Sequence, residues 1–269
     1  MTLPNINAMY REVFKFIDEY QQGRQHSFDE YNHFINQLRN SASIDTFFQL
    51  FEADTQFDRD QFKSIVITIE EKVEKLMAAR YLNGETHWIE SRMAPGYPMV
   101  QREINALGLT GDDCLYFIGS GALPFTAMLC HDICGARAVC VDRDEEALTL
   151  AKAAVTKRYG VEECNRNFDF ILASAESMLV PDRGIRHMIL AAHCGMKEGI
   201  LNGLSRSISH DCRVLVRLPL GVYHYVYDTV NLSLCPAYKK EMSPVRDEHE
   251  PFFNGWILTP ASPQRLKRV

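Results

Sequence analysis

The chain lacks any run of about 18 consecutive apolar residues, the length that a membrane-spanning helix requires. Its first 21 residues interleave acids and bases where a secretory signal would carry an apolar centre. The expectation is a cytoplasmic protein with no membrane partner. Eight cysteines are present without a CxxC pair, and several sit in apolar runs, so buried thiols in a reducing compartment are expected rather than disulfides or zinc. Cys130 and Cys134 share a helix face with His131 between them, but no second ligand pair stands nearby, and His87, His224 and His249 form no metal spacing. A resident metal is therefore not expected. Positive charge is also scarce. The net charge is -6 and the only basic cluster is Arg265, Lys267 and Arg268, which argues against nucleic acid as a partner. No Gly-x-x-x-x-Gly-Lys-Ser/Thr loop and no nucleophile elbow appear, so phosphoryl transfer and triad hydrolysis are minor options.

What is present is an ordinary globular composition, 269 residues of which 46% are hydrophobic and 24% charged. The first hundred residues show no strand alternation. Phe62, Ile65, Val66, Ile69, Val73, Leu76, Met77 and Tyr81 follow three-four spacing, the stripe of a packed amphipathic helix. Asp58 or Asp60 could cap its start, and Asn83-Gly84 ends it. Segments 9–20 and 28–38 are expected to be helical too. After Thr110-Gly111-Asp112-Asp113 the texture becomes short apolar runs, at 114–118, 136–141, 168–173, 187–192 and 212–218, separated by helical patterns at 122–134, 145–159 and 197–207. Such alternation predicts an α/β fold: a helical bundle over 1–111, then a Rossmann-like parallel-sheet domain of class I methyltransferase type over 112–269. The stretch 228–253 reads as loops, with a late strand pair ending in Gly255-Trp-Ile-Leu258.

The run Tyr116-Phe-Ile-Gly-Ser-Gly-Ala-Leu-Pro124 breaks from a strand into Gly119-Ser120-Gly121 and then opens a helix, with Pro124 in its first turn. Asp142 closes the next strand about 20 residues on, where nucleotide-binding α/β domains place the acid that grips ribose hydroxyls. A dinucleotide fingerprint would carry a third glycine where this chain has Pro124. Without that pyrophosphate cradle, adenosine with a small charged tail, as in S-adenosylmethionine, fits better.

The segments Gly-Ser-Gly-Ala-Leu-Pro (119–124), Lys72-Val-Glu-Lys-Leu-Met-Ala-Ala-Arg-Tyr-Leu-Asn-Gly84, Met188-Ile-Leu-Ala-Ala-His-Cys-Gly-Met196 and Val214-Leu-Val-Arg217 together resemble nicotianamine synthase. They resemble most its compact bacterial relatives that build opine metallophores of the staphylopine and pseudopaline type. The likeness runs from about residue 60 to 227. It implies transfer of the aminobutanoyl (3-amino-3-carboxypropyl) arm of S-adenosylmethionine to the amine of histidine, release of methylthioadenosine, and an opine dehydrogenase acting downstream. Whether the chain pairs into a homodimer is left open by the sequence.

An α-amine is mostly protonated at neutral pH, so the reaction needs a base near the activated carbon. Glu74, at the margin of the apolar stripe, is the candidate, and it matches the glutamate that the family assigns to the amine; the alternative is a solvated flank residue like Glu70 and Glu71. By the same resemblance Tyr97, in a loop after Ala-Pro-Gly, lies beside the acceptor, or else packs on the domain junction. Asp142 is expected to hold the ribose or to cap the helix 145–159, and the amides of Gly119 to Gly121 to face the methionine end. Ser174, Ala175 and Glu176 should edge the adenine, while Ala192 and His193 border the reacting centre, His193 in a role that is structural rather than basic. Arg217 could pair with a substrate carboxylate or form an internal salt bridge. Two other functions fit the same residues, a small-molecule methyltransferase and a non-catalytic ligand sensor.

Overall fold

Four helices come first in the computed structural model, which describes residues 3–39, 59–174, 185–205, 208–219, 226–242 and 253–261. They are α1 (Leu3–Gln21), α2 (Phe28–Arg39), α3 (Arg59–Leu82) and α4 (His87–Leu107). The three-four stripe of α3 does what its spacing dictates: Phe62, Val66, Ile69, Val73 and Met77 are buried, and they meet Val13, Phe14 and Ile17 of α1 and Tyr31 and Phe34 of α2. The Phe14 and Phe62 rings lie 5.8 Å apart. Lys72 Nζ donates to the buried Tyr31 hydroxyl at 2.8 Å and sits over its ring, keeping charge out of the core while its stem covers it. Gly84, at φ 103, turns the chain out of α3; Asp58 lies outside the described residues.

The loop expected around Tyr97 is instead the middle of α4, with Pro95 and Gly96 inside the helix. Met93, Val100, Ile104 and Leu107 recur at helical spacing and are all buried, and that packing overrides the local Pro-Gly signal. Gly108, at φ 69, ends α4 in a left-handed cap, with its N–H on Asn105 O and the Leu109 N–H on Ile104 O.

The rest alternates: β1 (Cys114–Ile118), α5 (Phe125–Cys134), β2 (Arg137–Asp142), α6 (Glu145–Tyr159), α7 (Val161–Asn167), β3 (Phe168–Leu172), β4 (His187–Leu190), α8 (Lys197–Leu204), β5 (Arg213–Pro219), β6 (Tyr238–Met242) and β7 (Phe253–Pro260). The seven strands form one sheet in the order β3-β2-β1-β4-β5-β7-β6. Strands β1 to β5 are parallel, and β7 inserts antiparallel between β5 and β6, so the late strand pair forms and the sheet is mixed rather than wholly parallel. Helix α7 is not among the expected elements; it is short, and its single buried residue, Cys164, leaves no stripe to read. The chain leaves β1 toward β2 and returns past it to β4, so the order reverses between β1 and β4. A crevice at the carboxyl ends of those strands is the ligand-binding position of open α/β sheets.

Helix α3 joins the two layers. Its Lys75 Nζ meets Asp144 Oδ2 at 2.6 Å and Glu146 Oε2 at 2.7 Å at the start of α6, while Lys63 pairs with Asp228. It therefore lies across the mouth of the crevice.

Candidate active site

Helix α5 starts at Phe125, three residues later than the pattern suggested, because residues 119–124 form a turn with other work for its amides. Gly119 and Gly121 have φ of 76° and 67°, a region that L side chains avoid. The N–H groups of Gly119 and Ser120 donate to Val141 O at 2.8 and 3.1 Å, and that of Gly121 to Asp142 Oδ2 at 2.8 Å. These amides were expected to face a ligand; they bind strand β2 instead. The glycines serve by their missing side chains: a Cβ at 119 would collide with Cys194 Sγ, and one at 121 would lie 2.5 Å from Glu74 Oε2.

That close approach places the carboxyl of Glu74 directly on the turn, where Oε1 accepts from the Leu123 N–H at 3.1 Å. Burial disfavours its charged form, and the negative charges of Asp142 and Glu70 add to the effect; the Leu123 and Ala122 amides offset part of it. Its protonation is pushed up to about 8 from the usual 4.5. A carboxyl in that range exchanges a proton near neutral pH, which is what a general base requires.

Asp142 ends β2 half-buried, taking the Gly121 N–H on one oxygen and the Asp144 N–H on the other at 3.1 Å. It does not cap α6. Asp144 does, accepting from the Ala147 N–H at 3.1 Å.

Two cavities meet at Glu74. The one over the sheet, about 620 Å³, is lined by Gly121, Asp142, Ala173 and Ser174. The one toward the helices, about 300 Å³, is bounded by Glu70, Ser120, Phe117, Ala192 and Arg217. Glu74, Gly119 and His193 line both. Glu74 thus stands in the wall between a nucleoside-sized space and a smaller, largely apolar chamber. The Ser120 hydroxyl is buried at that wall with no hydrogen-bond partner among the described residues. Groups of that kind are rare in folded proteins and point to something that completes them.

Not every expected residue arrives here. Tyr97 is 45% exposed on α4 and lines neither cavity, nor does Pro124, which precedes α5 as its cap. Ala175 and Glu176 lie outside the described residues. Arg217 is buried and resolves to the internal pair: its Nε and Nη2 reach the Glu103 carboxylate at 2.7 Å each, and Nη2 also meets Thr126 Oγ1 at 2.8 Å. The forked geometry fixes α4 and α5 on β5, and Arg217 also lines the chamber.

Glu70, its partner Tyr227 and Lys197 contribute beyond the expected residues. Glu70, read as a solvated flank residue, is only 7% exposed; its Oε2 accepts from the Tyr227 hydroxyl and lies 3.7 Å from His193 Nε2, while the His193 ring stacks on Tyr227 at 4.5 Å. Lys197 is fully buried and donates from Nζ to Ala192 O at 2.7 Å and to Cys194 O and Asp228 O at 2.8 Å. Burial lowers its protonation to about 8, and the three carbonyls replace the water it has lost. It fixes the turn after β4 that carries His193. Glu70 alone had a legible signal, its place four residues before Glu74 on one helix face. Cys130 and Cys134 have structural surroundings, with Cys134 Sγ donating to Cys130 O, and no metal-binding group of His, Cys, Asp and Glu occurs among the described residues.

The strand order, the antiparallel seventh strand and the crevice at the β1/β4 reversal define a Rossmann-like domain of methyltransferase type preceded by a helical bundle. The whole arrangement is the fold of the nicotianamine synthase MtNAS. Its structure in complex with MTA and tNA superposes with a TM-score of 0.73 over 97% of this chain and 100% of that one, at 14% identity. A glutamate-to-glutamine mutant of MtNAS in complex with S-adenosylmethionine matches with a TM-score of 0.69 over 94% and 98%, at 15% identity. In sequence, the chain is 31% identical over 123 residues to an L-histidine 2-aminobutanoyltransferase of Pseudomonas aeruginosa and 29% identical over 123 residues to one of Yersinia pestis. These matches take in 46% of this chain and 45% and 44% of those proteins, so they span about half the length of the curated relatives. No protein-family model matches the chain.

Proposed function

We propose that the protein transfers the aminobutanoyl arm of S-adenosylmethionine to the α-amine of histidine, releasing methylthioadenosine, as a step toward a nicotianamine-like opine metallophore. The observation that carries this reading is Glu74, a carboxyl protonating at about 8, pressed on the Gly119–Gly121 turn where the two cavities join. The sheet-side cavity has the volume and polar edge for an adenosine, with Asp142 toward the ribose, and Ser120 lines the smaller chamber. The names of the curated relatives and the ligands of the MtNAS structures support the same donor and the same acceptor.

The donor supplies a carbon activated by its sulfonium. Glu74 takes a proton from the acceptor's ammonium, the freed nitrogen lone pair forms the new C–N bond, and the C–S bond pair leaves with the sulfur as a neutral thioether. Holding both reactants in line is worth roughly 7 to 11 kcal/mol of barrier, well above the 10²- to 10⁴-fold supplied by proton transfer. The close wall of α3, β1 and the β4 turn is suited to that positioning task. The protein works in the cytoplasm in this reading, with an opine dehydrogenase using its product. The deciding experiment incubates purified protein with S-adenosylmethionine and a panel of amino acids, then identifies both products by mass. Methylthioadenosine with an enlarged amino acid is expected. S-adenosylhomocysteine would make the protein a methyltransferase, and binding without turnover a sensor.

A further inference from the structure

The helix-side chamber holds two carboxylates, and the reaction above uses one. Glu70 lies one turn before Glu74 on the same face of α3, about 6 Å along the axis at 1.5 Å per residue. It is buried, its Oε2 is occupied by the Tyr227 hydroxyl, and the His193 imidazole approaches that same oxygen from a ring stacked on Tyr227. Among the described residues no lysine or arginine pairs with Glu70, and Oε1 has no hydrogen-bond partner. Around it Val73, Met77, Phe117 and Leu129 make the wall apolar. A carboxylate is costly in such surroundings unless a donor meets it. The geometry points to Glu70 as the residue that selects the acceptor: held by Tyr227 and His193, it receives an N–H donor on the acceptor's side chain while Glu74 receives the α-amine.

The assignment rests on the reading of Glu74 given above and adds a substrate class to it. Two carboxylates a helical turn apart on one wall of the chamber match an amino acid that carries an imidazole, ammonium or similar N–H group on its side chain as well as its α-amine. An aliphatic amino acid of the same length fits the wall but offers no donor to Glu70 Oε1. Sites that hydrogen-bond a substrate group reject analogues lacking it far more strongly than apolar pockets reject a shape.

The test titrates the full chain, saturated with methylthioadenosine, with L-histidine, L-lysine and L-norleucine by calorimetry, and measures methylthioadenosine release from S-adenosylmethionine with the same acceptors. Wild type is expected to bind the N–H-bearing acceptors about ten- to a hundredfold more tightly than norleucine, the range for one hydrogen bond to a charged group. In Glu70→Gln that preference should shrink to within about threefold through a rise in acceptor KM, with donor affinity little changed. Tyr227→Phe keeps the carboxylate and should lose part of the preference, so the inference stays testable if the Gln variant fails to fold. Norleucine bound as well as histidine by wild type, or undiminished selectivity in either variant, overturns the inference. If methylthioadenosine is released from S-adenosylmethionine equally with every acceptor, transfer stands and Glu70 selection falls. If selective binding occurs without methylthioadenosine release, Glu70 selection stands and the transfer reading falls.

Discussion

Replacing Glu74 by Gln changes one proton's worth of chemistry in nearly unchanged space, because the amide oxygen can still accept from the Leu123 N–H. The consequences follow from protonation at about 8 in the folded chain against 4.5 for an ordinary glutamate. Between those values the native state holds a proton that the unfolded state releases, so stability is fullest near and below pH 4.5 and is lost as pH rises through about 8. Taken at face value, the shift would cost about 5 kcal/mol above pH 8 at 1.36 kcal/mol per unit. Glu74 is partly exposed, so solvent screening makes that figure an upper bound. Urea unfolding of both proteins from pH 5.5 to 9 measures it. Glu74→Gln should gain on wild type steadily as pH rises, and end more stable. A stability difference independent of pH would refute the account of Glu74 as a reluctant carboxylate. In turnover the same variant should keep donor affinity and lose about 10² or more in rate, while the wild-type rate falls as pH drops below about 8 because the base becomes protonated. Full activity in the variant would remove Glu74 from the chemistry.

Asp142→Ala should weaken S-adenosylmethionine binding by roughly 1.5 to 3 kcal/mol, read by calorimetry, since it removes the anchor of the Gly121 N–H and, on the proposed reading, the acceptor for the ribose. Gly121→Ala would push a methyl group into the Glu74 carboxyl, whose flexible end can swing aside; activity should collapse while stability falls by only about 1 to 3 kcal/mol for the positive φ. Lys197→Met should cost about 3 to 5 kcal/mol in urea unfolding, because the cation's loss leaves one buried and two part-buried carbonyls without their donor and frees the His193 turn.

The sheet was legible because buried parallel strands are uninterrupted apolar runs, and β1 and α6 carry the bounds that the residues announced. The site was legible where it depends on local spacing: Gly119, Gly121 and Asp142 converge as a strand-turn-helix signature demands. Tyr97 went astray since Pro95-Gly96 is a strong local breaker, and only the burial of Val100, Ile104 and Leu107 outweighs it. The Arg217–Glu103 pair joins residues 114 apart, and nothing in local pattern foretells such a partner. Glu70 was misjudged for a different reason. Stripe width cannot be read from spacing alone when a helix packs on two layers, and α3 is covered by the bundle on one side and by the Tyr227 segment on another.

That double duty of α3 has an evolutionary and practical corollary. One rod supplies the spine of the N-terminal bundle, through Phe62 and Val66, and both acids of the chamber, through Glu70 and Glu74. Trimming α1 and α2 would therefore disturb both acids without deleting any atom that lines either cavity, and amides along α3 should resist deuterium uptake as a single block from the bundle end to the crevice.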